Sequence, residues 1–344
     1  MPYRIVDEIN EENRRLWSGF VSNHPSGTIF QTPEFFDLFA GNDKYEQVFT
    51  GILDDAGKAR AAVFAITMNE YSGLRKRFAT RTVINGGPLL DPEAENQEEI
   101  LGLLLGALVR KVKQTSLYIE FRNFQDFSRF KEVFALNGFQ YREHLNLIIN
   151  TKNRDEVQSG ISKSKLRQVN KSLASGAEIK QSSTWEEFVE FYSLLKELYR
   201  ERVRKPIPPI EIFRKFYDET QKGKLGVILF VKYQGRVVAG MICPITPGKA
   251  VHEWYVCGDD RQYREIFPSV LITWAVIDYA IANNLSRFDF MGMGKPGKKY
   301  GVRHFKTRFG GEKVNYGRFI RVNNKFNYFI ARTGFYILGF FKKA

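Results

Sequence analysis

Two α/β (α+β) domains, each a largely antiparallel sheet flanked by helices, are what the order of elements along this 344-residue chain predicts. The length exceeds what one core normally fills and suits two. Each half runs the same series: helices, antiparallel strands, a helix, a strand, a helix or loop, and a last strand. The composition, 43% apolar and 15% aromatic with dispersed charge, is that of a folded protein.

In the first half, "QTPEFFDLFAG" reads as a helix with Thr32 as N-cap, Pro33 at its first position and Glu34 in its first turn. "EQVFTGILDD" and "ARAAVFAITMNE" read as strands paired across the turn at Asp55–Lys58. "NGGPLLDP" is a loop. "NQEEILGLLLGALVRKVKQ" is an amphipathic helix, acidic at its start and basic at its end as the macrodipole prefers. "SLYIEFRN" is a strand, "DFSRFKEVFALNGF" a helix stopped by Gly138, and "HLNLIINT" another strand.

A boundary is expected next, giving domains 1–152 and 153–344. "SKSKLRQVNKSL" is a basic helix whose Lys163, Arg167, Asn170 and Lys171 form one stripe, a holder for phosphates or a solvated face. Gly176 stops it and a strand follows. "TWEEFVEFYSLLKELYRERV" carries a capping box, Thr184 with Glu187. After the helix in "KPIPPIEIFRKFYDETQK", three strands follow: "LGVILFVKYQ", "RVVAGMICPITP" and "AVHEWYVCG". The helix "FPSVLITWAVIDYAIANN" leads to the strand "SRFDFMGM", and "KVNYGRFIRV" reads as one more strand.

Several classes are excluded. Two cysteines, Cys243 and Cys257, with no CxxC, give neither a disulfide framework nor a zinc site, so no metal is expected and a reducing cytoplasm is. The start is charged and is not a signal peptide. No window reaches the roughly 18 apolar residues of a membrane span. The C-terminal "FNYFIARTGFYILGFFKKA" reads as a docked helix, or as a peripheral anchor at the inner face of a membrane with Lys342 and Lys343 toward anionic headgroups.

The basic excess is confined to one half. Of the 52 Lys+Arg and 38 Asp+Glu, residues 1–150 hold 17 and 20, and residues 151–344 hold 35 and 18. A basic second half favours an anionic partner. "MGMGKPGKKYG" matches most of a Walker A loop from Gly292 to Lys298. Lys299 stands where a magnesium-binding Ser or Thr belongs, the stretch after it lacks a helical apolar period, and a Walker B strand is missing, so a nucleotidase is excluded. A looser reading is a lid on a phosphorylated ligand, with Gly292, Gly294 and Gly297 freeing backbone N–H groups and Lys295, Lys298 and Lys299 supplying charge.

Four stretches, "SKSKLRQVNKSLASGAEI", "LFVKYQGRVVAGMICP", "FPSVLITWAVIDYAIANNLSRFDFMGM" and "GVRHFKTRFGGEKVNYGRF", together resemble the FemAB-like branch of the GNAT acyltransferases. "GTIFQTPEFFDLF" and "VINGGPLL" look like the matching stretches of that family's first domain, so the resemblance covers most of the chain. It implies two GNAT-like domains and transfer of an acyl or aminoacyl group to an amine. The family's best-known members take an aminoacyl-tRNA donor and a lipid-linked or UDP-linked muropeptide acceptor. The helical hairpin of some tRNA-dependent members has no counterpart here.

The resemblance places Lys306 in the catalytic cleft, where a cation would steady the oxyanion of a tetrahedral intermediate. Arg308 is a second candidate cation, and His304 shares the face of Lys306 if the stretch is extended. Glu253 lies on the strand where GNAT enzymes display catalytic groups, Tyr255 shares its face, and His252 faces the other side. Asp289 ends the strand before the glycine loop and would orient the amine or anchor the loop. Ordinary GNAT enzymes hold the acetyl-CoA pyrophosphate on a glycine-bearing turn. Here the small positions of that turn are Phe267 and Ser269, and Pro268 lacks an N–H, which weakens an acyl-CoA donor.

The reading that follows is a cytoplasmic N-acyl- or aminoacyltransferase acting on a phosphate-bearing cell-envelope (peptidoglycan) precursor. It needs no bound cofactor, only an activated anionic donor, aminoacyl-tRNA or an acyl-CoA thioester, as co-substrate. Two alternatives are an acyl-CoA- or acyl-carrier-protein-dependent N-acyltransferase on an amino sugar of surface polysaccharide, and a non-catalytic GNAT-like module that binds RNA or membrane.

Overall fold

The computed structural model describes residues 3–341 except Glu70, Ser72, Leu74, Arg75, Lys205, Lys298 and Lys299, with side chains of the last helix described as far as Thr333. The chain forms two compact units, one of residues 1–143 with 316–344 and the other of residues 144–315.

The first unit begins with β1 (Arg4–Val6), α1 (Arg14–Asn23) and α2 (Pro33–Phe36), where Thr32 caps the helix by accepting the Phe35 N–H. The hairpin β2 (Tyr45–Leu53) and β3 (Ala59–Met68) follows, then α3 (Lys76–Ala79), β4 (Arg81–Gly86), β5 (Leu89–Leu90) and α4 (Gln97–Val112). β6 (Tyr118–Asn123), α5 (Lys131–Leu136) and β7 (Gln140–Arg142) complete this run. α4 buries Ile100, Leu101, Leu104, Leu105 and Leu108 against the sheet, the stripe its periodicity predicts.

The second unit runs β8 (Asn146–Asn150), α6 (Arg154–Gly160), α7 (Lys163–Ala174), β9 (Glu178–Gln181), α8 (Trp185–Leu198), α9 (Ile210–Gln221), β10 (Gly226–Tyr233), β11 (Arg236–Thr246), β12 (Ala250–His252) and β13 (Tyr255–Gly258). α10 (Pro268–Ala282), β14 (Arg287–Asp289), α11 (Gly301–Thr307) and β15 (Glu312–Val314) close it. The chain then returns to the first unit with β16 (Arg318–Val322) and α12 (Lys325–Phe341).

Each unit holds one mixed sheet. The first is ordered β1-β2-β3-β4-β6-β16-β7 with β5 on β3; the second is β15-β8-β14-β12-β11-β10-β9 with β13 on β11. Each contains one parallel pair, β4–β6 and β12–β14, made by a helical crossover. These are the two α/β domains the element order predicts.

Several local expectations change. The units do not divide at 152, because β8 pairs antiparallel with β14 and so belongs wholly to the second sheet. The stretch expected as one strand, 313–322, is two: β15 pairs with β8 in one sheet and β16 with β6 and β7 in the other. Gly317, with φ of +64°, makes the break. "AVHEWYVCG" is likewise β12 and β13, separated at Glu253–Trp254. "GVRHFKT" is helical as α11, not extended or irregular. The Thr184 hydroxyl does accept the Glu187 N–H at 3.3 Å, while Glu187 answers to Ser183 rather than to Thr184. Residues 264–282 are apolar over a membrane-spanning length, contrary to the sequence reading. They are largely the core helix α10, which buries Val270, Leu271, Ile272, Val276 and Ile277.

Candidate active site

The second sheet opens at one point. β12 and β14 run parallel from Ala250/Arg287 to His252/Asp289, and the Glu253 N–H still reaches the Asp289 carbonyl at 2.9 Å. Beyond it the strands part. The chain after Glu253 turns to β11, with the Trp254 N–H on Ile242 O at 3.1 Å and β13 paired to β11. The chain after Asp289 turns the other way, with the Phe290 and Met293 N–H groups on Leu147 O and Leu145 O at 3.1 and 2.8 Å.

Lys306 of α11 bridges this fork. Its Nζ lies 2.7 Å from Glu253 Oε1, and it donates to Phe290 O and Gly292 O at 2.9 Å each. Three donors meet three acceptors, so the ammonium is fully satisfied, and it also lies 5.0 Å from the centroid of the Phe290 ring. Both side chains of the ion pair are only 8% exposed. Burial raises the Glu253 pKa above the ordinary carboxylate value, the Lys306 charge opposes that rise, and the neighbouring Asp289 adds to it.

Asp289 serves the loop. Its Oδ1 accepts from Asn146 Nδ2 and from the Met291 N–H, both at 2.7 Å, and the residue is 1% exposed. This holds Met291 in the left-handed region, φ +54°, before Gly292 at φ +132°. His252 is wholly buried. Burial lowers its pKa to about 4 against the opposing pull of Asp289, so the ring is neutral at pH 7. Its Nε2 lies 3.2 Å from Thr246 Oγ1.

The N–H groups of Phe290, Met291 and Met293 are all spent inside the fold, and two loop carbonyls face Lys306. Arg303 holds the loop from α11, donating from Nε to Met293 O at 3.3 Å and from its guanidinium to Lys295 O. Gly294 has a physical reason: a Cβ there would stand 3.0 Å from the Tyr300 ring. Lys295 is exposed, and Lys298 and Lys299 lie outside the described residues.

The helical form of residues 301–307 separates residues that an extended chain would align. His304 is exposed and does not share the face of the buried Lys306. Arg308 donates to Ser164 Oγ at 2.8 Å and ties α11 to the start of α7. Tyr255 is not beside Glu253 on one strand face. It packs in a ring cluster with Phe213, Trp254 and Tyr199, at centroid distances of 5.0, 5.0 and 5.9 Å. Lys163, Arg167 and Lys171 are exposed on α7 as the stripe requires, with Lys171 Nζ 5.6 Å from the Phe267 ring.

Residues the sequence reading passed over are Asn146, Arg303, Lys165 and Asp260. Lys165 lies 4.7 Å over the Phe305 ring, and burial lowers its pKa. Arg303 and Lys306 are three apart on α11, a spacing visible only once the stretch is known to be helical. A groove of about 410 Å³ beside β8 and α6, touching Lys152, Glu156, Arg287 and Glu312, is lined by none of the expected catalytic residues.

Residues 162–307 match the family model of the acetyltransferase (GNAT) domain. Aminoacyltransferase FemA of Staphylococcus epidermidis is 32% identical over 94 residues, covering 26% of this chain and 22% of FemA. The chain thus spans about a fifth of the length of the curated relatives it matches. The crystal structure of FemX superposes over 94% of this chain and 97% of its own, with a TM-score of 0.69 at 15% identity. A tandem GNAT protein from the clavulanic acid biosynthesis pathway covers 94% and 99%, with a TM-score of 0.59 at 10% identity. L-PGS of Bacillus licheniformis covers 95% and 97%, with a TM-score of 0.59 at 12% identity. These likenesses establish the two-domain GNAT fold and agree with the FemAB-like resemblance of the sequence, and residues 162–307 match the acetyltransferase (GNAT) domain.

Proposed function

We propose that this protein is an aminoacyl- or acyltransferase that forms an amide on an amine of a phosphate-bearing cell-envelope precursor. The observation that carries the proposal is the buried Glu253–Lys306 pair at the fork between β12 and β14. In this reading Glu253, held with a raised pKa, takes a proton from the acceptor ammonium. The freed lone pair attacks the donor carbonyl carbon and its π electrons move to oxygen. Neutralising Glu253 weakens its bond to Lys306, and the ammonium, still fixed by Phe290 O and Gly292 O, turns that donor to the new oxyanion. Collapse breaks the bond to the carrier, whose departing oxygen or sulfur takes the second nitrogen proton, while Glu253 returns its own to solvent. Asp289, Asn146 and Arg303 act as positioning residues for the loop that supplies the two carbonyls.

The exposed stripe of Lys163, Arg167 and Lys171 suits a phosphate-rich donor or precursor. We extend the reading to the C-terminal helix. Phe326, Phe329 and Ile330 are 72%, 68% and 39% exposed, and the exposed Lys325 and Arg332 flank them. An apolar face edged by cations fits an anionic lipid surface; Lys342 and Lys343 of the same reading lie outside the described residues. Vesicles rich in phosphatidylglycerol should sediment the chain, and Phe326→Asp with Phe329→Asp should release it; retention of the double variant removes this contact.

The deciding experiment incubates the full chain with charged tRNA or acyl-CoA and a panel of amine acceptors, and reads mass gain on the acceptor. Lys306→Ala should lower transfer by about 10²–10³-fold while leaving polyanion retention nearly unchanged. Retention without transfer in the wild type would instead favour a binding module.

A further inference from the structure

One face of the first sheet carries a row of arginines set by strand register. Arg318 on β16 is the direct partner of Arg122 on β6 and of Arg142 on β7. Antiparallel partners share a face, so three arginines stand on three neighbouring strands within about 10 Å. Among the described residues Glu120 is the one carboxylate bonded to the row, and both its oxygens are spent there: Oε2 lies 3.1 Å from Arg122 and Oε1 2.6 Å from Arg318. Arg142 makes no ion pair among the described residues; its Nη1 donates to the Tyr328 hydroxyl of α12 at 3.3 Å.

Three cations against one anion leave at least two positive charges. Like charges directly opposite on neighbouring strands are unfavourable. Burial, joined by the Arg122 charge, lowers the Arg318 pKa in spite of Glu120. The register itself is fixed by the other face, where the partners Phe121 and Phe319 enter the core, so the row adds nothing to folding that would offset this repulsion. The Arg122 and Arg318 side chains are 35% and 22% exposed, within reach of an ion from solvent. The donors converge. Each guanidinium presents a fork to an oxyanion, and the Tyr328 hydroxyl can donate onward while its oxygen accepts from Arg142. On β4 the row continues with Asn85, the partner of Arg122, whose Oδ1 is buried without a hydrogen-bond partner; rotating that amide brings its Nδ2 to the same place as a donor.

We propose that Arg122, Arg318 and Arg142 form a binding site for the diphosphate group of an ester. Neighbouring strands are about 4.8 Å apart, a step that two linked phosphates straddle and a single phosphate does not. A diphosphate esterified at both ends carries two negative charges, which the excess of the row meets. The site goes beyond the transferase reading and does not depend on it, since the row shares no residue with the Glu253–Lys306 pair. The diphosphate can belong to a soluble nucleotide ester or to a lipid-linked one.

The test is calorimetric titration of the full chain with inorganic pyrophosphate, uridine diphosphate and inorganic phosphate, together with sedimentation on phosphatidylcholine vesicles with and without polyprenyl diphosphate. Wild type should saturate with pyrophosphate below about 1 mM and bind inorganic phosphate at least about tenfold more weakly. Arg142→Gln should weaken pyrophosphate binding by at least about tenfold. Arg142→Lys, which keeps the charge and loses the fork, should weaken it by less, and it carries the test if the glutamine variant fails to fold. Saturation by uridine diphosphate supports the site and assigns it to a nucleotide ester. Retention on the polyprenyl diphosphate vesicles alone, lost in Arg142→Gln, supports it and assigns it to a lipid-linked ester. No saturation by any diphosphate, equal binding of phosphate and pyrophosphate, or unchanged binding in both variants overturns the proposal. Absence of amide transfer ends the transferase reading alone, and the titrations still decide the arginine row.

Discussion

The two units build the same parallel pair and finish it differently. In the first, β4 and β6 stay together from Arg81/Tyr118 to Gly86/Asn123, and the buried charge near them is closed off: Glu120 lies between Arg122 and Arg318 on adjacent strands, at 3.1 and 2.6 Å. In the second, β12 and β14 part after three pairings, and the gap is spanned by a carboxylate from one arm and a lysine from a following helix. Glu120 is held by two guanidiniums and its pKa falls to about 2, whereas Glu253 has a single cation and its pKa rises. A carboxylate locked in its charged form is a staple; one poised to accept a proton is equipped for chemistry. The basic excess also lies in the second half of the chain.

The contrast is broken most severely at Lys306. Lys306→Ala should lower single-turnover transfer by about 10²–10³-fold. It should also cost about 3–5 kcal/mol of stability, read by urea unfolding, because Glu253 is left buried without its partner. An exposed-lysine effect, below about 1 kcal/mol, would mean that the pair is not buried in solution.

Glu253→Gln should lower the rate by about 10²–10⁴-fold and remove the acid limb of the pH–rate profile. In wild type that limb should lie above the ordinary carboxylate range, because the folded pKa is raised. A limb at an ordinary carboxylate pKa, or one that survives in the variant, would take the base role from Glu253.

Glu120 sharpens the other side. Its folded pKa of about 2 is below the ordinary glutamate value of 4.5, so its contribution is complete above the unfolded value and is lost as pH falls through the folded one. That difference corresponds to about 3 kcal/mol. Glu120→Gln should cost a similar amount at pH 7 and flatten acid unfolding between the two values, with transfer chemistry unchanged once the fold is saturated. Loss of turnover without loss of stability would place Glu120 in the wrong category.

The smallest effect is expected at Met291. Met291→Gly relieves a left-handed residue of about 1 kcal/mol of strain and returns part of it as chain entropy, so thermal stability should move by only a degree or two. A large loss would show that the Met291 side chain, rather than its backbone, holds the loop.

Much of this was legible locally. The stripe of α4, the Thr184 cap of α8 and the apolar length of α10 declare themselves within one element, and each formed. What failed was non-local. Residues 313–322 read as one strand because their β-propensity runs on past Gly317, while the choice of two different sheets belongs to β8 and β6. α11 was hidden because it is short and its one buried position is a lysine, Lys306, where an apolar residue would have marked the helical period. Glu253 and Lys306 were each visible as candidates. Their pairing was not, since it depends on β12 and β14 parting where they do.

The return of β16 to the first sheet has a consequence for how the protein is made. The second unit, residues 144–315, is complete as soon as β15 has been synthesised, whereas the strand that lies between β6 and β7 follows it along the chain. The unit begun before residue 144 is therefore completed only after the unit of residues 144–315, holding β6 and β7 unpaired along that edge meanwhile. A fragment ending at residue 152 would inherit that open edge permanently and is expected to aggregate rather than fold.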